Sequence, residues 1–326
     1  MNARAASILD RVAGAPITWG VCEVPGWGHQ LGADRVLSEM AALGLGATEL
    51  GPEGYLPTEA TALREMLGRH GLELVGGFLP VGLHVEEGLE ERLAGVATYA
   101  ELLAGAGARV LVLAATANGT GYESSDGLDS TAWTRLVRGV DRVVEIAGER
   151  GLAVAVHPHQ GTAIERATDV ERLLETSEVP LCLDTGHLVV GGADPLAIAK
   201  SAPGRVAHVH LKDVDAGWAE RVRTGRSSYL EAVREGMYRP LGEGDLDISA
   251  IVRALHEGGY AGWYVLEQDR VLETAPEEGA GPLRDAMASL EFLRRVAAEL
   301  DQDGPAAGVG TTRTARDAAS PGREEG

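Results

Sequence analysis

Cysteine is scarce in this chain of 326 residues, with Cys22 and Cys182 the only two. Two thiols cannot build a disulfide framework, and Cys182 lies inside an apolar run, where a thiol acts as a small hydrophobe. A reducing, cytoplasmic setting is the expectation. Aromatic residues make up only 4% against 44% hydrophobic, so aliphatic side chains must fill the core. Basic residues are outnumbered, 29 Lys and Arg to 49 Asp and Glu, for a formal net charge of -20. That balance disfavours nucleic acid and anionic membranes, whose phosphates call for clustered cations. No window approaches the roughly 18 apolar residues of a membrane span, and residues 1–14 hold no apolar stretch suited to a signal sequence. The expected partner is therefore a small molecule, neutral or held through a metal. The number of copies that assemble is left open, a homo-oligomer included.

What the chain does have is a set of short apolar runs that end in polar side chains. Leu181-Cys-Leu-Asp-Thr-Gly-His187 puts an acid and an imidazole at the end of a buried run. Val154 to His159, Val206 to Asp213 and Trp263 to Asp269 finish in the same way. Residues two apart in a strand face the same side, so His157 and His159 can share a rim, as can His208 and His210. The four runs deliver His157, Asp184, His210 and Glu267 to one place. Mixed nitrogen and oxygen donors suit Mn, Co, Zn or Fe better than Ca, which takes oxygen shells. Any one of these histidines read alone is as well explained as a core group bonded to a carbonyl; the repetition is the signal.

Length would allow two domains, but regular alternation argues for one, over residues 1–302. Ala15 to Gly20 reads as the first strand, Ala47 to Gly51 as the second, ending in Glu49, and Leu72 to Pro80 as the third. Helices are expected behind Asp34, after a Thr58 cap, from about Glu87 to Ala106, and around Trp133 to Val144. The connection from Val214 to Leu246 is long enough to hold structure of its own, including a short helix near Ser228 to Glu235 over the site. Residues 303–326 lack large apolar side chains and are expected to be disordered. Eight strands alternating with eight helices, the strands too apolar to face water, point to a single-domain α/β protein, a (β/α)8 TIM barrel. An open doubly wound sheet would usually carry a Gly-rich phosphate turn after strand one, and Trp19-Gly-Val-Cys-Glu23 is not one.

Further candidates sit at the same rim. His187 leaves its strand three residues after Asp184, pointing at a bound molecule, and Lys212 is placed for a substrate oxygen. Glu267 could ligate a cation through one oxygen and take a proton with the other. Glu49 is placed to hydrogen-bond a polyol, although a loop carboxylate is more often solvated. Trp19 is a substrate-contact candidate on the first rim loop, and His159 another. The Gly242-Glu-Gly-Asp245 turn reads as a loop closure, since its charges are negative.

At Ala13 to Val21, Glu49 to Pro57, His157 to Thr162, Asp184 to His187, His208 to Asp213, and the loop from Tyr229 to Gly244, the sequence resembles the xylose isomerase-like TIM-barrel superfamily, most of all its inosose dehydratase branch. The resemblance covers nearly the whole chain except the tail. It implies a divalent metal at the barrel mouth, Mn or Co first, with Zn, Mg or Fe as alternatives. It places the last three ligands on Asp184, His210 and Glu267, and a substrate-contacting imidazole on His187. The first ligand, commonly Glu in the sugar epimerases, falls here on His157, with His159 a possible substitute; that departure points away from an epimerase.

The activity expected is elimination of water from a cyclic keto-polyol through an enolate stabilised by the metal. Glu267 serves as base, helped by His187 or Lys212. An isomerase or epimerase would reprotonate the same enolate, and a non-catalytic polyol-binding barrel would hold no transition metal.

Overall fold

The computed structural model describes residues 7–117 and 127–303. Aliphatic runs of two to six residues form the parallel strands β1 (Val12–Gly14), β2 (Ala47–Thr48), β3 (Glu73–Leu74), β4 (Gly76–Val81), β5 (Val110–Ala115), β6 (Ala153–Val156), β7 (Leu181–Asp184) and β8 (Val206–Leu211). Two short strands, β9 (Asp213–Val214) and β10 (Tyr238–Arg239), stand apart before β11 (Tyr264–Leu266) completes the set. The main sheet runs β3-β2-β1-β11-β8-β7-β6-β5-β4. Only Val75 separates β3 from β4; its N–H bonds Thr48 on one side and its carbonyl accepts from Arg109 on the other. Counting β3 and β4 as one stave, the sheet closes into an eight-staved barrel, as the alternation predicts.

The helices are α1 (Ala33–Ala42), α2 (Ala60–Arg69), α3 (Leu89–Ala106), α4 (Ser130–Gly148), α5 (Ala167–Thr176), α6 (Thr185–Val190), α7 (Pro195–Ser201), α8 (Ala216–Arg223), α9 (Tyr229–Arg234), α10 (Ile248–Glu257) and α11 (Pro282–Asp303). Their apolar faces follow helical spacing: Trp133, Leu136, Val140, Val143 and Ala147 of α4 are all buried. Carboxylates start several of them, as where Asp129 and Asp247 accept from Ala132 and Ala250. Among the described residues no helix is long and apolar enough to cross a membrane.

Three local expectations are corrected. The first strand is Val12–Gly14, not Ala15 to Gly20, and Pro16–Trp19 is a turn of 3-10 helix. Pro16 explains this, because it donates no ladder bond and its fixed φ suits the first helical position. The cap of α2 is Glu59, whose carboxylate reaches the N–H groups of Thr61 and Ala62, rather than Thr58. The Val214 to Leu246 connection holds the expected helix, α9, but also α8 and the antiparallel β9–β10 pair. The expected disordered tail lies outside the described residues, apart from Asp303, the last residue of α11.

Two groups of small side chains fill the barrel, Ala13, Ala15, Ala47, Val75 and Val265 in one, Val110, Val112, Ala155 and Cys182 in the other. Larger residues such as Leu111, Leu113, Leu183 and Val209 alternate with them and join the larger core cluster with the helices. Small interior residues leave room at the C-terminal end of the staves for polar groups.

Candidate metal centre and active site

One rule places the polar cluster. Ala47, Ala155, Cys182, His208 and Val265 are followed two positions later by Glu49, His157, Asp184, His210 and Glu267, so each polar side chain inherits the inward direction of the residue before it. Register brings the staves level: Cα atoms of Asp184 and His210 pair across β7 and β8, and those of His210 and Val265 across β8 and β11.

Asp184, His210 and Glu267 offer atoms that lie within 4.8 Å of one another. His210 Nδ1 is 2.8 Å from Glu267 Oε2 and 3.4 Å from Asp184 Oδ2. His157 joins them, its Nε2 lying 3.2 Å from Asp184 Oδ2. Although close, His210 Nδ1 and Glu267 Oε2 are buried and neither completes a hydrogen bond; His157 Nδ1 is in the same position. Buried polar atoms are rarely left so, and a convergence of imidazole and carboxylate donors fits a divalent cation. Of the two candidate first ligands, His157 stands beside Asp184, whereas His159 turns Nδ1 to the Gln160 carbonyl at 2.7 Å.

Lys212 reaches the same place from β8. Its Nζ lies 2.6 Å from Asp269, 3.0 Å from Glu267 and 3.4 Å from Asp184. Asp269 is held from the other side by the Tyr229 hydroxyl, itself 2.9 Å from that of Tyr238. Thus α9 and β10, parts of the long connection, touch the site. Asp184 has a structural task too, since Oδ1 accepts from the His187 N–H and starts α6.

The electrostatics follow from burial and neighbours. Burial alone would raise the Asp184 and Glu267 carboxyls, but Lys212 and His187 beside Asp184, and His210 and Lys212 beside Glu267, outweigh it and hold both below the usual range. Burial would discharge Lys212, yet Asp184, Asp269 and Glu267 keep its ammonium charged well above the ordinary range. His159 and His187 are depressed well below the ordinary imidazole range, His159 by burial first and His157 next, His187 by burial first and His159 next.

A cavity of about 730 Å³ opens onto this cluster, lined by Glu49, His157, His159, Lys212, Glu267 and Asp269 and walled by Leu50, Leu56, Phe78, Leu79 and Tyr99. Two expected substrate contacts are displaced. Trp19 does not reach the cavity: it is 0% exposed and its Nε1–H donates to Glu39 of α1 at 2.7 Å, because the 3-10 turn points it outward between barrel and helices. His187 is absent from the lining and packs against His159 at a tilt of 36°, ring centres 3.8 Å apart. Glu49 is no solvated loop group; it is 4% exposed and accepts from His208 Nε2 at 2.7 Å and His210 Nε2 at 3.0 Å. Strand parity placed His208 on the rim with His210 but gave it no role, and sequence reasoning assigned none to Asp269, Tyr229 or Tyr238. The same parity, two positions from Glu267, could have found Asp269; nothing local marks the tyrosines.

The model of the xylose isomerase-like TIM barrel matches residues 37–296. The chain belongs to this family. Among its relatives is the inosose dehydratase of Geobacillus kaustophilus strain HTA426, 33% identical over 271 residues, covering 80% of this chain and 87% of the relative. The rhizopine catabolism protein MocC of Rhizobium meliloti is 33% identical over 296 residues, 88% of this chain and 89% of its own. Among solved structures of the family's fold, that of IOLI protein with a binding zinc atom superposes with a TM-score of 0.65 at 15% identity, covering 89% of this chain and 98% of the other. At that identity the likeness shows the shared barrel.

Proposed function

We propose that the chain is an inosose dehydratase-like lyase that eliminates water from a cyclic keto-polyol, with a divalent cation held by His157, Asp184, His210 and Glu267. The observation that carries this reading is the convergence of Asp184, His210 and Glu267, the last of which lines the cavity beside His157 and Lys212, in a chain 33% identical to an inosose dehydratase. A divalent cation there, Mn or Co by preference, would supply Lewis acidity toward the ketone and the negative charge that builds beside it.

The protein's own groups do the rest. Glu267 lines the cavity and is held ionised, so its carboxylate takes the proton from the carbon next to the ketone. The C–H and C–O bonds break, the C=C bond forms, and the same carboxyl returns its proton to the departing hydroxyl, which leaves as water. Lys212, clasped by three carboxylates, serves as a fixed positive donor to a substrate oxygen rather than as an acid. With Nδ1–H directed to the Gln160 carbonyl, His159 carries its lone pair on Nε2, suited to accept from a ring hydroxyl. The apolar wall keeps competing water from the reacting face.

The test is incubation of Mn- or Co-loaded protein with scyllo-inosose under ultraviolet detection. Growing absorbance of a conjugated product is expected. A rearranged inosose by NMR without that absorbance would indicate an isomerase, and no reaction together with no bound metal by elemental analysis would indicate a non-catalytic barrel.

A further inference from the structure

Glu49 sends its side chain across the barrel from β2 to β8, where one oxygen, Oε1, meets both His208 Nε2 at 2.7 Å and His210 Nε2 at 3.0 Å. All three residues are buried. A buried carboxylate with two imidazoles seldom stabilises a fold more than apolar residues of the same volume would, and barrel interiors are ordinarily filled by Val, Ile and Leu. The trio therefore asks for a role beyond packing. The geometry assigns one through the proton positions. A carboxylate only accepts, so the proton of each imidazole resides on the nitrogen facing it, Nε2. Nδ1 of His210, the atom 2.8 Å from Glu267 Oε2 and 3.4 Å from Asp184 Oδ2, is then the nitrogen left for a cation, which would displace any proton that Nδ1 holds toward those carboxylates. Donor atoms of an imidazole and two carboxylates converge there, and neither His210 Nδ1 nor Glu267 Oε2 has a hydrogen bond. Lys212 Nζ, 3.0 Å from Glu267 Oε2 and 3.4 Å from Asp184 Oδ2, gives the two carboxylates one positive charge, and a bound cation would engage Nδ1 as well.

We propose that Glu49 is a positioning residue that fixes the tautomer and ring orientation of His210, so that Nδ1 is presented to the cation, while His208 holds the Glu49 carboxylate in place. This rests on the cation reading of the previous subsection and replaces the expected polyol contact of Glu49. Such carboxylate partners typically change metal affinity 10- to 100-fold.

The experiment compares cobalt affinity and the visible d–d spectrum of the full-length wild-type protein with those of Glu49→Gln and His208→Gln, with thermal unfolding in chelator as the folding control. Glu49→Gln should weaken cobalt binding about 10- to 100-fold and shift the d–d bands. His208→Gln, which leaves the Glu49–His210 bond in place, should weaken it several-fold less. Unchanged affinity and spectrum in Glu49→Gln, with a raised KM for the keto-polyol, would overturn the proposal and return Glu49 to a substrate contact. So would an equal or larger loss in His208→Gln. Should Glu49→Gln fail to fold, a cobalt-loaded wild-type crystal structure decides: His210 ligating through Nδ1 supports the proposal, and ligation through Nε2 overturns it. Wild-type protein that binds no cobalt would defeat the metal reading itself, an outcome distinct from unaltered binding by the variant.

Discussion

Glu267 and Trp19 show how two residues at strand or turn ends come to opposite uses. Glu267 follows Val265 by two positions and keeps its inward direction, so its carboxylate reaches His210, Lys212 and the cavity. Glu267→Gln keeps the shape but removes the proposed base, and on that proposal turnover should fall by about 10²- to 10⁴-fold in the ultraviolet assay while the unfolding transition stays cooperative. Trp19 is turned outward by the Pro16 helix and bonds Glu39, whose other oxygen is held by Arg35. Trp19→Phe should therefore leave kcat and KM as they are and lower stability by about 1–2 kcal/mol in urea titration, because Glu39 loses a donor. Cys182 is the interior residue beneath Asp184. Burial pushes its thiol up to about 11, so a thiol-reactive reagent at pH 8 should label it only when denaturant is added.

At the scale of elements, the connection between β8 and β11 carries α8, α9 and the β9–β10 pair, and of these α9 and β10 reach the site through Tyr229 and Tyr238. Two attachments hold it. The Asp213 carboxylate, fully buried, accepts from the N–H groups of Val214, Gly242, Gly244 and Leu246. That gathers the Gly242 to Asp245 turn onto the strand end, the loop closure its composition suggests. The close approach needs glycine, since a Cβ on Gly244 would run into the Asp213 carboxylate. The second attachment is Tyr229 on Asp269, through which α9 contacts the group that holds Lys212. Asp213→Ala strands four backbone donors, one buried and three part-buried, and should cost about 3 kcal/mol. It should also open residues 214–246 to limited proteolysis before the rest of the chain, read by mass spectrometry of the first fragments.

For the whole molecule, the cluster couples stability to pH and, through the proposed cation site, to metal. Burial opposes the charged forms of Glu49, Asp184 and Glu267, but the imidazoles and Lys212 outweigh it and hold all three carboxyls below their ordinary values. A carboxyl depressed in the folded state stabilises it at pH above the unfolded value, near ~4, and that contribution is lost as the pH falls through the folded value. Chelator-treated protein should thus unfold at a lower urea midpoint at pH 4 than at pH 7. A cation that binds only the folded barrel adds about 2.7 kcal/mol at a hundred times its Kd. Scanning calorimetry should accordingly show Tm rising with Mn or Co and falling again with chelator.

Much of this was legible in the sequence because a strand has a period of two and a barrel has one open end. Apolar runs closing on His157, Asp184, His210 and Glu267 gave both the alternation of elements and the polar rim, since inward direction propagates along each run without long-range information. Other features depend on contacts between segments far apart in the chain. Glu49 and His208 are separated by 159 positions, and only barrel closure turns a carboxylate read as a polyol contact into the partner of two imidazoles. Trp19 and His187 differ from expectation because a proline-started turn and a capped helix reorient the chain just past the strand ends, where the period of two no longer holds. Local sequence thus determined which residues point inward; which of them meet, and across what distance, was decided by the closing of the sheet.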